Sequence, residues 1–258
     1  NASKVPERFE NLVTAEEYKK STDYNLDRLK FQIIVSFVSI FILLLLTIGG
    51  LLNTLTSIVS SYTSSNILGA IFLGLLIILI SEILEIPLAI YSTFVIEEKY
   101  GFNKTTKKTF VTDIVKNLLI SSVISCLIYA VVIGIIENLG NNWWVYAFGA
   151  VFFIQLIIFF LYPVLIMPLF NKFEPLDDEE YKKPVEKLLE KINFKAKGLF
   201  VMNASLRSSH GNAFFTGFGK NKRIVFYDTL LETITPDEME AILGHELGHY
   251  KLGHIRKS

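Results

Sequence analysis

The chain has 258 residues, 51% of them apolar, and its 25 basic and 25 acidic side chains leave a formal net charge of zero. Balanced charge argues against the basic surface that a nucleic-acid partner requires, so no nucleic acid is expected. An apolar content this high, with 21 Phe, excludes an ordinary soluble globule and puts membrane spans first.

Residues 1–30 mix acidic and basic side chains, which is not the pattern of an export signal. No charged side chain then occurs between Lys30 and Glu82, and further uncharged runs extend from Asn117 to Ile136 and from Asn138 to Asn171. A bilayer core takes about 20 apolar residues per helix. Four spans are therefore predicted near residues 31–52, 67–90, 118–136 and 143–170, with "SIVSSYTSSN" as a polar turn between the first two. The second and fourth exceed what a perpendicular span needs, so they tilt or continue into water, and Pro87, Pro163 and Pro168 are candidate kinks or ends.

All 25 Lys and Arg fall in residues 1–30, in the loop 97–116 and after Asn171, while the connections 53–66 and 137–142 hold none. Basic segments favour the cytoplasmic side, so residues 1–30, the loop 97–116 and residues 171–258 are expected in the cytoplasm. Sequons at Asn1, Asn103 and Asn203 lie in those segments and read as chance. Cys126 lies within the third span without a disulfide partner and reads as a packing residue. Glu82 and Glu85, one turn apart, either face protein or water at membrane depth or mark where the helix has left the lipid.

After Asn171 the composition becomes that of a soluble region. In "DDEEYKKPVEKLLEKINF", Val185, Leu188, Leu189 and Ile192 recur at helical spacing. "GLFVMNAS" reads as a strand, and "GNAFFTGFGKNKRIVFYDTLL" as two strands of a hairpin. Thr235, Pro236 and Glu238 then form a capping-box signature for a final helix.

That helix carries "ILGHELGHYKLGH", which holds three of the four histidines. His245 and His249 are four apart and so share a face, where both can bind one zinc ion. Glu246 is rotated by about 100° and stands beside the metal, placed to take a proton from the attacking water and pass it to a leaving amine. Gly244 and Gly248 each weaken the helix by roughly 1 kcal/mol relative to Ala, which suggests a close approach to the backbone or a packed neighbouring helix. The longer metzincin pattern fails because positions 252 and 255 are Leu and Ile, so His254 is out of register and reads as a structural residue. His210 reads as a surface-loop histidine. The two ligands make half of a tetrahedral site, and no third ligand is expected from the residues that follow His249.

Four stretches together resemble the integral-membrane CAAX prenyl endopeptidases, a family of HExxH zinc metalloproteases. They are "FVIEEKYGFNKTT" from Phe94, "YPVLIMPLFNKFEPL" from Tyr162, "GNAFFTGFGKNKRIVFYDTLLE" from Gly211 and "EMEAILGHELGHYKLGH" from Glu238. The stretch "VPERFENLVTAEEYKKSTDYNLDRLKF" is similar to the one that follows the family's first transmembrane helix. The resemblance implies a mainly α, polytopic membrane protein: a helical barrel around a water-filled chamber, with a small α+β zinc metalloprotease region. It implies a third zinc ligand, a Glu on a later helix, and it reads the chain as a fragment without the family's first and last membrane helices. It also implies that the strand of Asn212, Ala213 and Phe214 holds an extended substrate, a role that strand addition makes physically reasonable. A plain hairpin is the alternative.

The function expected is hydrolysis, with one zinc ion per chain, of a peptide bond near the C-terminus of a prenylated or hydrophobic peptide. The membrane would be a bacterial inner membrane or the endoplasmic reticulum, with the active site toward the cytoplasm. Two other readings are a heat-shock membrane protease for misfolded proteins and a non-catalytic membrane scaffold. Glu246 between two intact ligands argues against the scaffold.

Overall fold

The computed structural model describes residues 13–191, 196–216 and 222–251, together with Val5 and Phe194. The side chains of Glu246, His249, Tyr250 and Lys251 are outside that description. The chain divides into two compact units, one of residues 1–103 and 107–154, the other of 104–106 and 155–258.

The first unit is helical. Helix α1 spans Ala15–Thr47, and its start is fixed by Thr14, which accepts from the Glu17 N–H while Glu17 returns a bond to the Thr14 N–H. It stops before the expected limit at residue 52, because Gly50 takes a left-handed conformation (φ 75°) that an α-helix cannot continue through. Helix α2, Leu51–Tyr62, follows, so most of the expected turn "SIVSSYTSSN" is helical and only Thr63–Ser65 link it to the next helix. The hydroxyls explain the difference: Thr56, Ser57 and Ser61 donate to the carbonyls of Leu52, Asn53 and Ile58 at 2.7–3.0 Å and are satisfied inside the helix.

Helix α3, Asn66–Tyr91, continues through a π-helical turn at Ser92–Glu97, and α4 spans Lys107–Asn138. They run antiparallel, with Asn66 donating to Glu137 at 2.8 Å and Gly74 set against the ring of Tyr129. A Cβ at Gly74 would lie 1.9 Å from that ring, so the close packing of α3 on α4 requires glycine there. Helix α5, Trp143–Leu161, leads through a π-helical turn, Tyr162–Ile166, into the short α6, Met167–Phe170. Four helical stretches, Ala15–Thr47, Asn66–Glu97, Lys107–Asn138 and Gly140–Phe170, are long and apolar enough to cross a membrane. Large apolar side chains such as Phe37, Val123 and Phe148 are exposed along them, which suits lipid rather than water as their surroundings.

The loop after α3 is tied to α1. Tyr24, Ile96 and Tyr100 are buried together, with Phe31 and Phe102 against them. The Tyr24 hydroxyl donates to Glu97 at 2.7 Å, and Asp27 accepts from Lys99 at 2.6 Å and Tyr100 at 2.7 Å. The hydrogen bond to Asp27 is the main reason that Lys99 is pushed up to about 12.

In the second unit, β1 (Phe173–Pro175), β2 (Gly198–Met202), β3 (Ala213–Thr216) and β4 (Arg223–Tyr227) form a sheet in the order β1-β2-β4-β3. The β2–β4 pair is parallel and the other two are antiparallel. The sheet has two apolar faces, because side chains alternate along each strand. One face carries Leu199, Ile224 and Phe226 against α7 (Glu179–Lys191) and α9 (Pro236–Lys251), with Val185, Leu189, Met239, Leu243 and Leu247 buried between them. The other face carries Met202 and Val225, with Phe173, Phe200, Phe214 and Met167 against them. The expected strand, hairpin pairing and amphipathic helix are all present; Ile192 and the residues joining β3 to β4 lie outside the described residues.

Candidate active site

Helix α9 starts as its sequence predicts. Glu238 accepts from the Thr235 N–H at 2.8 Å and from its hydroxyl at 3.0 Å, and the Glu238 N–H donates back to Thr235 Oγ1 at 3.4 Å. These bonds, the backbone one first, hold the Glu238 carboxyl below its ordinary value. Met239, Leu243 and Leu247, one turn apart and each about 1% exposed, clamp one stripe of α9 to the sheet and α7.

That stripe sets the heading of the rest of the helix. At 100° per residue, positions 245 and 249 lie about 200° and 240° from Leu243, on the side away from the buried core. His245 is exposed there. Position 249 follows one turn on, roughly 6 Å along the axis, and position 246 flanks both. The side chains of Glu246 and His249, and all of His254, lie outside the described residues. Among the described residues no three His, Cys, Asp or Glu are grouped to hold an ion. The donor set at 245 and 249 nonetheless fits zinc, since imidazoles at i and i+4 supply two ligands of a four-coordinate site.

A Cβ at Gly244 or Gly248 would meet nothing within 4 Å among the described residues, so no described neighbouring helix accounts for these glycines.

Strand β3 is an edge of the described sheet, and its register separates the three residues singled out for substrate. The Tyr227 N–H donates to the Asn212 carbonyl at 2.9 Å, so hydrogen-bonded pairs fall at Asn212–Tyr227 and Phe214–Val225. The alternate residues, Ala213 and Phe215, direct their main-chain groups to the open edge. Asn212 Oδ1 accepts from the Ala213 N–H at 2.8 Å on that edge. Ala213 packs on the core cluster of α9, whereas Phe214 lies on the opposite face against Tyr227. Phe215, which was not singled out from the sequence, shares that open edge with Ala213 through its main chain.

Elsewhere in this unit, His210 is exposed, its carbonyl accepting from Thr229 Oγ1 at 2.9 Å. Asp228 accepts from the N–H groups of Ser205 and Thr229 at 2.9 and 2.8 Å and pins the corner after β4. The Arg207 carbonyl accepts from Lys104 N–H at 3.1 Å and Thr105 Oγ1 at 3.0 Å, while its guanidinium donates to Asn171 at 2.9 Å.

Residues 1–172 match a family described as CAAX prenyl protease N-terminal, five membrane helices, and residues 175–258 match peptidase family M48. The chain is 36% identical to the CAAX prenyl protease 1 homolog of Arabidopsis thaliana, covering 98% of this chain and 62% of that protein. It is 39% identical to the probable CAAX prenyl protease 1 of Schizosaccharomyces pombe, covering 97% and 56%. The crystal structure of S. mikatae Ste24p superposes with a TM-score of 0.88 at 34% identity, covering 98% of this chain and 61% of that one. The chain thus spans about three fifths of the length of these relatives. The protein is an integral membrane protein, mainly α with a small mixed sheet, and the chain belongs to the CAAX prenyl protease family, with its C-terminal part in peptidase family M48.

Proposed function

We propose that the protein containing this chain is a membrane-embedded zinc metalloendopeptidase that hydrolyses a peptide bond near the C-terminus of prenylated or hydrophobic peptides. The observation that carries the reading is that His245 is exposed on the side of α9 turned away from Leu243, with position 249 one turn further on, in a chain of this family.

His245 and His249 would hold the zinc ion, one per chain, and a Glu from the part of the relatives that this chain does not span would complete the ligands. The ion supplies Lewis acidity toward the scissile carbonyl. Glu246 accepts the proton of the attacking water and delivers it to the leaving nitrogen, so that the amine departs neutral. The open edge of β3 receives the substrate as an added strand through the main chain of Ala213 and Phe215, with Asn212 at its end. Strand addition satisfies the backbone of an extended peptide and holds its scissile bond in one register. The distribution of Lys and Arg supports an active site on the cytoplasmic side, and the family resemblance supports a chamber that would admit a lipid-modified tail.

The test uses the full-length protein in detergent, measuring zinc content and cleavage of a farnesylated C-terminal peptide beside its unmodified form. Stoichiometric zinc and faster cleavage of the farnesylated peptide are expected. Zinc without cleavage of either peptide would overturn the proposed activity.

A further inference from the structure

Between the ends of α2, α3 and α4 the first unit holds a cavity of about 490 Å³ that peptide hydrolysis does not use. Its lining changes along its length. Ser60, Thr63, Ser64, Ser65 and Glu137 line one end, and Leu73 of α3 and Ile133 of α4 line it further along the same helices.

The polar end has more hydrogen-bonding capacity than the protein uses. Asn66 donates to one oxygen of Glu137 at 2.8 Å, and among the described residues no cation lies within ion-pair distance of that carboxylate. Thr63 Oγ1 and Ser65 Oγ accept from the N–H groups of Ser65 and Leu68 at 3.2 and 3.3 Å, which leaves their hydroxyl protons to donate elsewhere. The hydroxyls of Ser60 and Ser64 have no hydrogen-bond partner among the described residues. One carboxylate therefore stands beside a group of hydroxyl donors, and residues 53–66 and 137–142 include no Lys or Arg.

This composition selects a zwitterion. The carboxylate takes a cation, while the hydroxyls take anionic oxygens without adding a formal charge. The place of the cavity along the helices adds an apolar part to the ligand. Asn66 opens one membrane-capable stretch, Asn66–Glu97, and Glu137 lies at the end of another, Lys107–Asn138. Tyr62 at the end of α2 and Trp144 at the start of α5 are 82% and 61% exposed, and exposed Tyr and Trp at span ends mark the level of lipid headgroups. Val59, which lines the cavity, also lines a second groove of about 510 Å³ whose α3 wall is Phe72, Leu75, Leu76 and Leu79. Apolar surface suited to acyl chains thus adjoins the polar end.

We propose that this cavity binds a zwitterionic membrane phospholipid with a primary ammonium, such as phosphatidylethanolamine. The ammonium donates to Glu137, the phosphate accepts from Ser60, Thr63 and Ser64, and the acyl chains lie along Leu73 and Ile133. A quaternary ammonium has no proton to donate to Glu137, and an anionic headgroup would bring its net charge against the carboxylate.

The test measures binding of dihexanoyl phosphatidylethanolamine, below its micelle concentration, to the full-length protein in an uncharged detergent. Dihexanoyl phosphatidylcholine, dihexanoyl phosphatidylserine and free phosphoethanolamine are the comparison probes. Saturable binding of the ethanolamine lipid is expected, at least about tenfold tighter than of any other probe, the size of one charge-assisted hydrogen bond or of the apolar contact. Glu137→Gln, whose amide oxygen still accepts from Asn66, should bind it at least about tenfold more weakly. Glu190→Gln on α7 should bind it as the parent does. No saturable binding by the parent, or equal binding by parent and Glu137→Gln, overturns the proposal. The choline lipid binding as tightly overturns the ammonium contact, the serine lipid doing so overturns the selection of a zwitterion, and free phosphoethanolamine doing so overturns the lipid assignment. Should Glu137→Gln not fold, the double variant Ser60→Ala/Ser64→Ala at two exposed positions decides: unchanged binding of the ethanolamine lipid overturns the site, and weakened binding upholds it.

Discussion

The main-chain N–H of Tyr227 donates to the carbonyl of Asn212 at 2.9 Å, and this bond phases the whole β3–β4 ladder. It assigns Phe214 to the ladder and leaves Ala213 and Phe215 to the open edge. Proline separates the two roles because it removes one N–H. Phe214→Pro should destabilise the fold by about 1–3 kcal/mol through a lost ladder bond. Phe215→Pro should leave Tm close to that of Phe215→Val, which also lacks the ring near Phe194, yet raise the KM for peptide about tenfold. Thermal unfolding and steady-state kinetics on the full-length protein check both; equal KM values for the two Phe215 variants would argue against strand addition there.

Glu246 and the two histidines should fail differently. Glu246→Gln keeps both ligands and should retain stoichiometric zinc while losing about 10²–10⁴ in kcat, the usual contribution of a positioned general base. His245→Ala and His249→Ala should lose zinc as well as activity. Metal analysis beside kinetics distinguishes the cases, and full activity in Glu246→Gln would remove the proton-transfer role.

Gly74 faces the Tyr129 ring so closely that a methyl group cannot be added without moving it. Gly74→Ala should therefore destabilise α3 against α4 by about 1–3 kcal/mol, the typical cost of overpacking. Combined with Tyr129→Ala, the same change should cost little more than Tyr129→Ala alone. Additive losses in unfolding experiments would show that the ring is not the obstacle.

The capping box of α9 predicts a pH dependence. Thr235→Ala should cost about 1 kcal/mol, as loss of an N-cap does. The Glu238 carboxyl sits below its ordinary value of 4.5 because the Thr235 N–H and hydroxyl donate to it. Its folded value is depressed, so its contribution is present above pH 4.5 and fades as pH falls through the folded value. Glu238→Gln should flatten that part of the stability profile, and an unchanged acid limb would count against the linkage.

Much of the organisation was legible because it depends on local chemistry. The uncharged runs pointed to membrane-capable helices, Thr235 and Glu238 marked the start of α9, and two β-rich runs marked β3 and β4. The polar run after Leu52 misled, since hydroxyls that suggest a turn are equally satisfied by carbonyls one turn back within a helix. The glycines of α9 suggested a close neighbour, and none stands within 4 Å among the described residues.

By itself the sequence named the candidate metal ligands: a four-residue spacing on a helix brings His245 and His249 to one face whatever surrounds them. It also determined the family, through motifs spread along nearly the whole chain. Only the tertiary structure decided which side of α9 that face occupies, because the heading comes from packing Met239, Leu243 and Leu247 against Ile224 and Phe226 of the distant β4. Likewise, only the pairing of β3 with β4 decided that Ala213 and Phe215 face the open edge. A strand alternates its side chains and its main-chain groups with a period of two, and the partner strand chooses the phase.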